Sequence, residues 1–558
     1  MTRELLAPGE AEPPRLSESV RIEPSADGAY WLVSVEGVPV SRASGAVAAT
    51  LRAMDGVTGL DELRRRFAPD QTPDAFADLV ERFRRAGLLR GSERRITGRV
   101  TYRPPLTVQF ATLRAPQIFD SLHRVLRPFL RRGLLWSAAA FVVAGAVALA
   151  VQADAALAAL SSPLPWRDVL IVTAVLVVAT FAHEAAHGVT LVHGGARPRR
   201  AGVMLLYLGP AFFVDVTDAW RLPSRAARAA VALAGPAVHA VLAGTAALAA
   251  LVAADVDLRR TLLVLACACG TVVGVNLVPF VRFDGYIALM SALDEPNLRA
   301  RTMADAADGV RRLVFGGQRS PRAFDRWWSV PFGVLSAVVP AALVWFAVER
   351  AVRALDGTGP VGAFVVLALE AAVLVAVGAV VARWVARGWA RGRSRARFLV
   401  ISGVAVAAVL AVAAVLPVDD VRTLGFTTTG DRVVLAVPDG SSGDVSLADG
   451  VPVELTTNGI LADAHLATGV VRAESPRRRG VPLSAFAPVE VAGIEVDAVA
   501  VGTAEVPDGT ALPSSGRAAV RVGTRSLLDA VWTSHIAQPA AVLFPFLIPP
   551  MPQTKEAR

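Results

Sequence analysis

The chain has 558 residues, 54% of them hydrophobic and 19% charged, with a formal net charge of +9 and a mean hydropathy of +0.48. So apolar and charge-poor a composition argues against a soluble protein of this length and makes a polytopic α-helical membrane protein the first expectation. The basic balance does not imply nucleic acid, because the arginines sit mainly in short loops between apolar spans, where they signal orientation.

Residues 1–15, rich in Pro and Glu, are expected to form a disordered tail. The first apolar span starts only near Gly133, after a charged, globular-looking region, so no signal peptide is expected and the N-terminus should stay where it was made. Residues 16–95 have the pattern of a winged-helix-like α+β domain. Short strands at 29–35 and 38–40 flank a Glu36-Gly37 turn. Amphipathic helical patterns follow at 44–54, 60–67 and 73–86, broken by Asp55-Gly56 and Pro69-Asp70. Such an order also suits a DNA-reading winged helix. Val40-Ser41-Arg42-Ala43-Ser44-Gly45-Ala46-Val47, Leu51-Arg52-Ala53-Met54-Asp55-Gly56 and Phe83-Arg84-Arg85-Ala86-Gly87-Leu88-Leu89 give it the closer look of another group. Through them the domain resembles the PqqD-like domains that recognise leaders of ribosomally made peptide natural products. The resemblance implies a strand edge that accepts an extended leader peptide by β-augmentation.

Residues 96–132 are expected to be a basic, Pro-interrupted connector, and 133–418 a transmembrane domain of about seven spans. The spans are expected at 134–151, 169–192, 227–253, 261–280, 330–348, 363–381 and 398–418. The apolar piece 203–214, broken by Gly209-Pro210, is too short for a clear crossing and suits a hairpin or a re-entrant segment. Cys267 and Cys269 stand at i, i+2 in an apolar run and make neither a disulfide framework nor a C-x-x-C site. Arginine counting assigns the loops with Arg197, Arg199 and Arg200, with Arg221, Arg225 and Arg228, and with Arg383 to Arg397 to the cytoplasm. The expected location is an integral protein of a bacterial-type cell membrane with a cytoplasmic N-terminus. An odd number of spans then puts 419–558 outside the cytoplasm. That region, with alternating stretches at 432–437 and 489–496 between turn residues, reads as all-β. The late run 540–548 contains a Pro, is too short to span, and suits a docking segment.

One span carries Phe181-Ala182-His183-Glu184-Ala185-Ala186-His187-Gly188. At about 100° per residue the two histidines lie about 40° apart around a helix, so both imidazoles can reach one ion. H-E-x-x-H on a helix is a zinc-protease pattern, with the glutamate as general base. An ionisable cluster at bilayer depth is costly and points to function. His193 matches the spacing of a third histidine in a longer zinc motif, but Thr190 stands where that motif needs a glycine, so a continuing helix carries His193 off the ligand face.

The next such cluster is Asn276-Leu277-Val278-Pro279, followed by Asp284-Gly285. Together with His183-Glu184-Ala185-Ala186-His187 it makes residues 168–290 resemble the site-2 protease family of intramembrane zinc metalloproteases. The resemblance implies Zn2+ held by His183, His187 and Asp284, with Glu184 as the catalytic base and water at the fourth position. It also implies that Asn276, Pro279 and Gly285 lie on the substrate-binding side. His239 stands where that family more often has asparagine. The function this implies is a zinc endopeptidase in the lipid bilayer that cleaves a precursor peptide, removing the leader of a ribosomally synthesised, modified peptide. Regulated proteolysis of a membrane-anchored regulator, and a non-catalytic peptide export or immunity component, remain as alternatives.

Overall fold

The computed structural model describes residues 13–544 except 26–27, 29, 93–98, 104–106, 207–208, 317–320, 356–358, 392–393, 431, 440–446 and 508. Most of the expected disordered tail, and the apolar run from 545 onward, lie outside these residues.

The amino-terminal elements are β1 (Val20–Pro24), β2 (Trp31–Val35), β3 (Val38–Ala43), α1 (Gly45–Arg52), α2 (Leu60–Phe67) and α3 (Pro73–Arg85). The strands form an antiparallel sheet in the order β1-β2-β3. Glu36 (φ 50°) and Gly37 (φ 75°) turn the chain between β2 and β3, the two positive φ angles that match a hairpin to strand twist. Ser44 and Thr72 cap α1 and α3 by accepting from Val47 N and Ala75 N, which satisfies amides that a helix start leaves open. Leu51, Met54, Leu63, Phe76, Val80 and Phe83 fill the core beneath the sheet.

The expected connector is more structured than its composition suggests. It contains β4 (Val100–Arg103), β5 (Thr107–Thr112) and α4 (Ala115–Leu126). Downstream come α5 (Arg132–Val151), α6 (Ala153–Leu160), β6 (Leu164–Pro165), α7 (Trp166–His193), β7 (Ala201–Leu206) and β8 (Gly209–Val214). The short apolar piece is therefore a hairpin, and it completes an antiparallel sheet β4-β5-β7-β8. No reading of residues 96–132 alone reveals this, because the partner strand lies far along the chain.

The remaining helices are α8 (Arg225–Val252), α9 (Val256–Asn276), α10 (Asp284–Leu293), α11 (Leu298–Phe315), α12 (Ser329–Leu355), α13 (Gly359–Arg391) and α14 (Arg395–Val415). Among the described residues seven helices, α5, α7, α8, α9, α12, α13 and α14, are long and apolar enough to cross a membrane. In the most apolar window of α14 none of the residues is buried within the protein, so its surface needs lipid as solvent. The fourth span stops at Asn276 rather than near 280, and Asp284 opens a separate helix instead of ending that span.

The carboxyl-terminal strands are β9 (Pro417–Thr429), β10 (Arg432–Pro438), β11 (Pro452–Thr456), β12 (His465–Pro482), β13 (Val489–Glu490), β14 (Glu495–Glu505) and β15 (Ser515–Ser526). Six of them close into a barrel in the order β10-β14-β12-β11-β15-β9, which leaves no sheet edge. Its interior is filled by Phe426, Leu435, Val453, Leu455, Val471, Val501 and Val520, every second residue of their strands. The region is not entirely β. A helical tail follows, α15 (Leu527–Trp532), a π-helical turn at Thr533–Ala537 and α16 (Gln538–Leu543). The chain divides into two compact units, Met1–Ala144 with Leu176–Gly244 and Cys269–Pro296, and Gly145–Val175 with Thr245–Ala268 and Asn297–Arg558.

Candidate metal centre

Within the first unit α7 supplies two imidazoles that lie on one face, His183 at 6% and His187 at 5% exposure. Their ring centroids are 4.9 Å apart and nearly perpendicular. His187 Nδ1 lies 2.7 Å from Val231 O of α8. Nδ1 donates there, which leaves Nε2 with its lone pair turned towards the cluster. Asp284, the first residue of α10, brings Oδ2 to 3.0 Å from His183 Nε2 and Oδ1 to 3.4 Å from His187 Nε2. One donor atom from each of the three residues falls within 4.8 Å of the others, the spacing a single metal ion needs.

The fit to a cation rests on what these atoms lack. Asp284 Oδ2 is buried and makes no directed hydrogen bond despite its neighbour, a costly arrangement for a carboxylate unless a positive charge fills the space between donors. A carboxylate set this close to two imidazole nitrogens is the third donor that a cation site needs.

Glu184 follows His183 directly and projects to a neighbouring side, where its Oε2 accepts from Val214 N at 3.1 Å. The last residue of β8 therefore orients the carboxylate. Gly235 of α8 lies against both histidines: a Cβ there would stand 2.5 Å from His183 Nε2 and 2.5 Å from His187 Nε2. Pro236, inside α8, cannot donate to the helix ladder and loosens it at this height. His239 is 1% exposed, its ring is 5.4 Å from that of His183, and its Nδ1 has no hydrogen-bond partner.

Thus His183, Glu184, His187 and Asp284 come together. Asn276, Pro279 and Gly285 lie in and beside the 277–283 link from α9 to α10. Asn276 Nδ2 donates back to Val272 O at 2.9 Å. Gly285 is a packing residue, since a Cβ there would be 2.4 Å from Leu277 O. His193 is exposed and its Nδ1 lies 3.2 Å from His123 Nε2, so it pairs outside the cluster. Three participants escape the sequence reading: the Val231 carbonyl, the Val214 amide and Gly235. Backbone groups leave no residue-type signal. Gly235 leaves only the Gly-Pro step inside an apolar helix. No family model, curated protein or solved structure matches this chain.

Proposed function

We propose that this chain is a membrane-embedded zinc endopeptidase that removes the leader from a ribosomally made precursor peptide. The observation that carries the reading is the meeting of two buried imidazoles and the Asp284 carboxyl group with Glu184 alongside. Two nitrogen donors and one oxygen donor suit zinc and leave a position open for substrate. A zinc ion held by His183, His187 and Asp284 supplies Lewis acidity, lowering the pKa of a water and polarising a carbonyl.

The chain's own groups do the rest. Glu184, steadied by Val214 N, takes the proton from the attacking water and returns it to the departing amine. β8 is an edge strand of its sheet, and its end is joined to Glu184. An extended substrate laid along it would present a carbonyl beside the base, whereas a helical substrate would shield its own carbonyls. The α+β domain raises the local concentration of a peptide that carries a matching leader. That domain is held close to the end of α7 by Arg199, which donates to Gly37 O and Glu36 O, and by Arg221, whose Nη2 donates to Gly37 O at 3.1 Å and whose Nη1 pairs with Glu23 at 3.1 Å. With the amino-terminal domain cytoplasmic, the catalytic cluster belongs to the cytoplasmic half of the bilayer and seven crossings put the barrel outside.

The test is incubation of the purified protein with candidate precursors and mass analysis of the products. Cleavage is expected to stop with a chelator and to fall at least about a hundredfold in Glu184→Gln, with zinc content unchanged. Undiminished cleavage by Glu184→Gln, or a wild-type protein that binds no zinc, would overturn the reading.

A further inference from the structure

Both ends of α10 are anchored in the first unit. Its first residue, Asp284, faces the two imidazoles. The residue that caps its other end, Asp294, has φ 57° and offers its carboxylate to arginines from two separate elements. Arg42 Nη1 is 2.8 Å from Oδ1, Arg228 Nη2 is 2.5 Å from Oδ1, and Arg225 Nη2 is 3.7 Å from Oδ2. Arg42 belongs to β3 of the α+β domain. Its guanidinium lies 4.0 Å over the Tyr30 ring and 4.5 Å over the Trp220 ring, with 11% of the side chain exposed. Arg228 belongs to α8, is 4% exposed, and precedes by one turn Val231, whose carbonyl orients His187.

One carboxylate thus ties the recognition domain to two supports of the metal cluster. α10 has 10 residues, a rod of about 15 Å. A helix this short moves as a piece, so a shift at Asp294 reaches Asp284. The second support is α8 itself, through Arg228 and Val231. Neither contact is a loose surface pair. The guanidiniums are buried and stacked, and several of their N–H groups (Arg42 Nε and Nη2, Arg228 Nε) have no other acceptor, so losing Asp294 would leave buried positive charge uncompensated.

We propose that Arg42 and Asp294 are positioning residues for the metal centre, through which the α+β domain sets where Asp284 and His187 stand. A leader bound to that domain then acts on the geometry of the cluster as well as on binding. The coupling rests on the metal-centre reading above.

The experiment uses the full chain in lipid nanodiscs, comparing wild type with Arg42→Ala and with Asp294→Asn, a near-isosteric change that suits the left-handed backbone. Zinc affinity is read by competition with a chromophoric chelator, and kcat and KM separately on a precursor. Both variants are expected to bind zinc roughly tenfold more weakly, the effect typical of groups that orient ligands, and to lose kcat. Wild-type zinc affinity with only KM raised would mean that Arg42 merely docks the domain, and would overturn the proposal. Should Arg42→Ala fail to fold, Asp294→Asn decides by the same readouts. A wild type whose zinc binding is absent, or indifferent to His187→Ala, is a different result: it removes the metal centre itself.

Discussion

At Gly235 a single hydrogen atom in place of a methyl group lets α8 approach two imidazoles. Alanine normally stabilises a helix interior over glycine by about 1 kcal/mol, so the ordinary expectation for Gly235→Ala is a gain. Here the added Cβ would stand 2.5 Å from each Nε2, the atoms that face Asp284 in the candidate metal centre. The variant should keep its helix content by circular dichroism and lose at least about tenfold in zinc affinity. Unchanged affinity would show that the rings can give way, and that the close approach has no bearing on ligand geometry. The candidate ligands His183 and His187 are legible in sequence because ionisable residues have few cheap reasons to be buried in an apolar helix, whereas Asp284 becomes a candidate only together with Asn276, Pro279 and Gly285. Gly235 and the backbone partners are not legible, since their role exists only once α7, α8 and β8 are side by side.

At the scale of elements, the carboxyl-terminal tail shows what packing adds. The π-helical turn at Thr533–Ala537 directs His535 between two helices of the second unit. Its Nδ1 is 2.5 Å from Glu370 of α13 and its Nε2 is 3.2 Å from Glu349 of α12, while Trp345 stacks on the ring at 5.4 Å. Such π turns often appear where a helix must aim a side chain. His535→Ala removes the imidazole that Glu370 and Glu349 share on apolar helices, and the cost falls mainly on the more buried Glu370. A lowered unfolding midpoint in detergent, partly restored by adding Glu370→Gln, is the expected result; an unchanged midpoint would mean the glutamates are solvated well enough alone. Periodicity located the spans and the first three helices to within a few residues at most ends, but α12 and α13 run on about two to three turns past their expected far ends, to Leu355 and Arg391. Among the elements it missed are β1, β4, β5, α4 and α6, because a short strand is defined by its neighbour and a short helix lacks the length to distinguish itself from a loop.

For the molecule as a whole, the membrane topology we propose rests on span number and arginine placement. In a background of Cys267→Ala and Cys269→Ala, a membrane-impermeant maleimide applied to intact spheroplasts should label Glu474→Cys on the barrel. It should label Asp78→Cys in α3 only after lysis, and the reverse pattern would invert the orientation. What the sequence by itself determined is what hydrophobic burial dictates locally: the seven apolar helices, the α+β amino-terminal domain, the β character after residue 419, and the candidate ligands on α7. Local pattern decides these because each depends on residues a few positions apart meeting lipid, water or a shared core. Only the tertiary structure decided that Asp284 begins a helix of its own, that the apolar piece after α7 is a hairpin reaching Glu184, and that Asp294 gathers Arg42 and Arg228. Those facts depend on which distant segments pack together, and packing is a property of shape that no single stretch of chain contains.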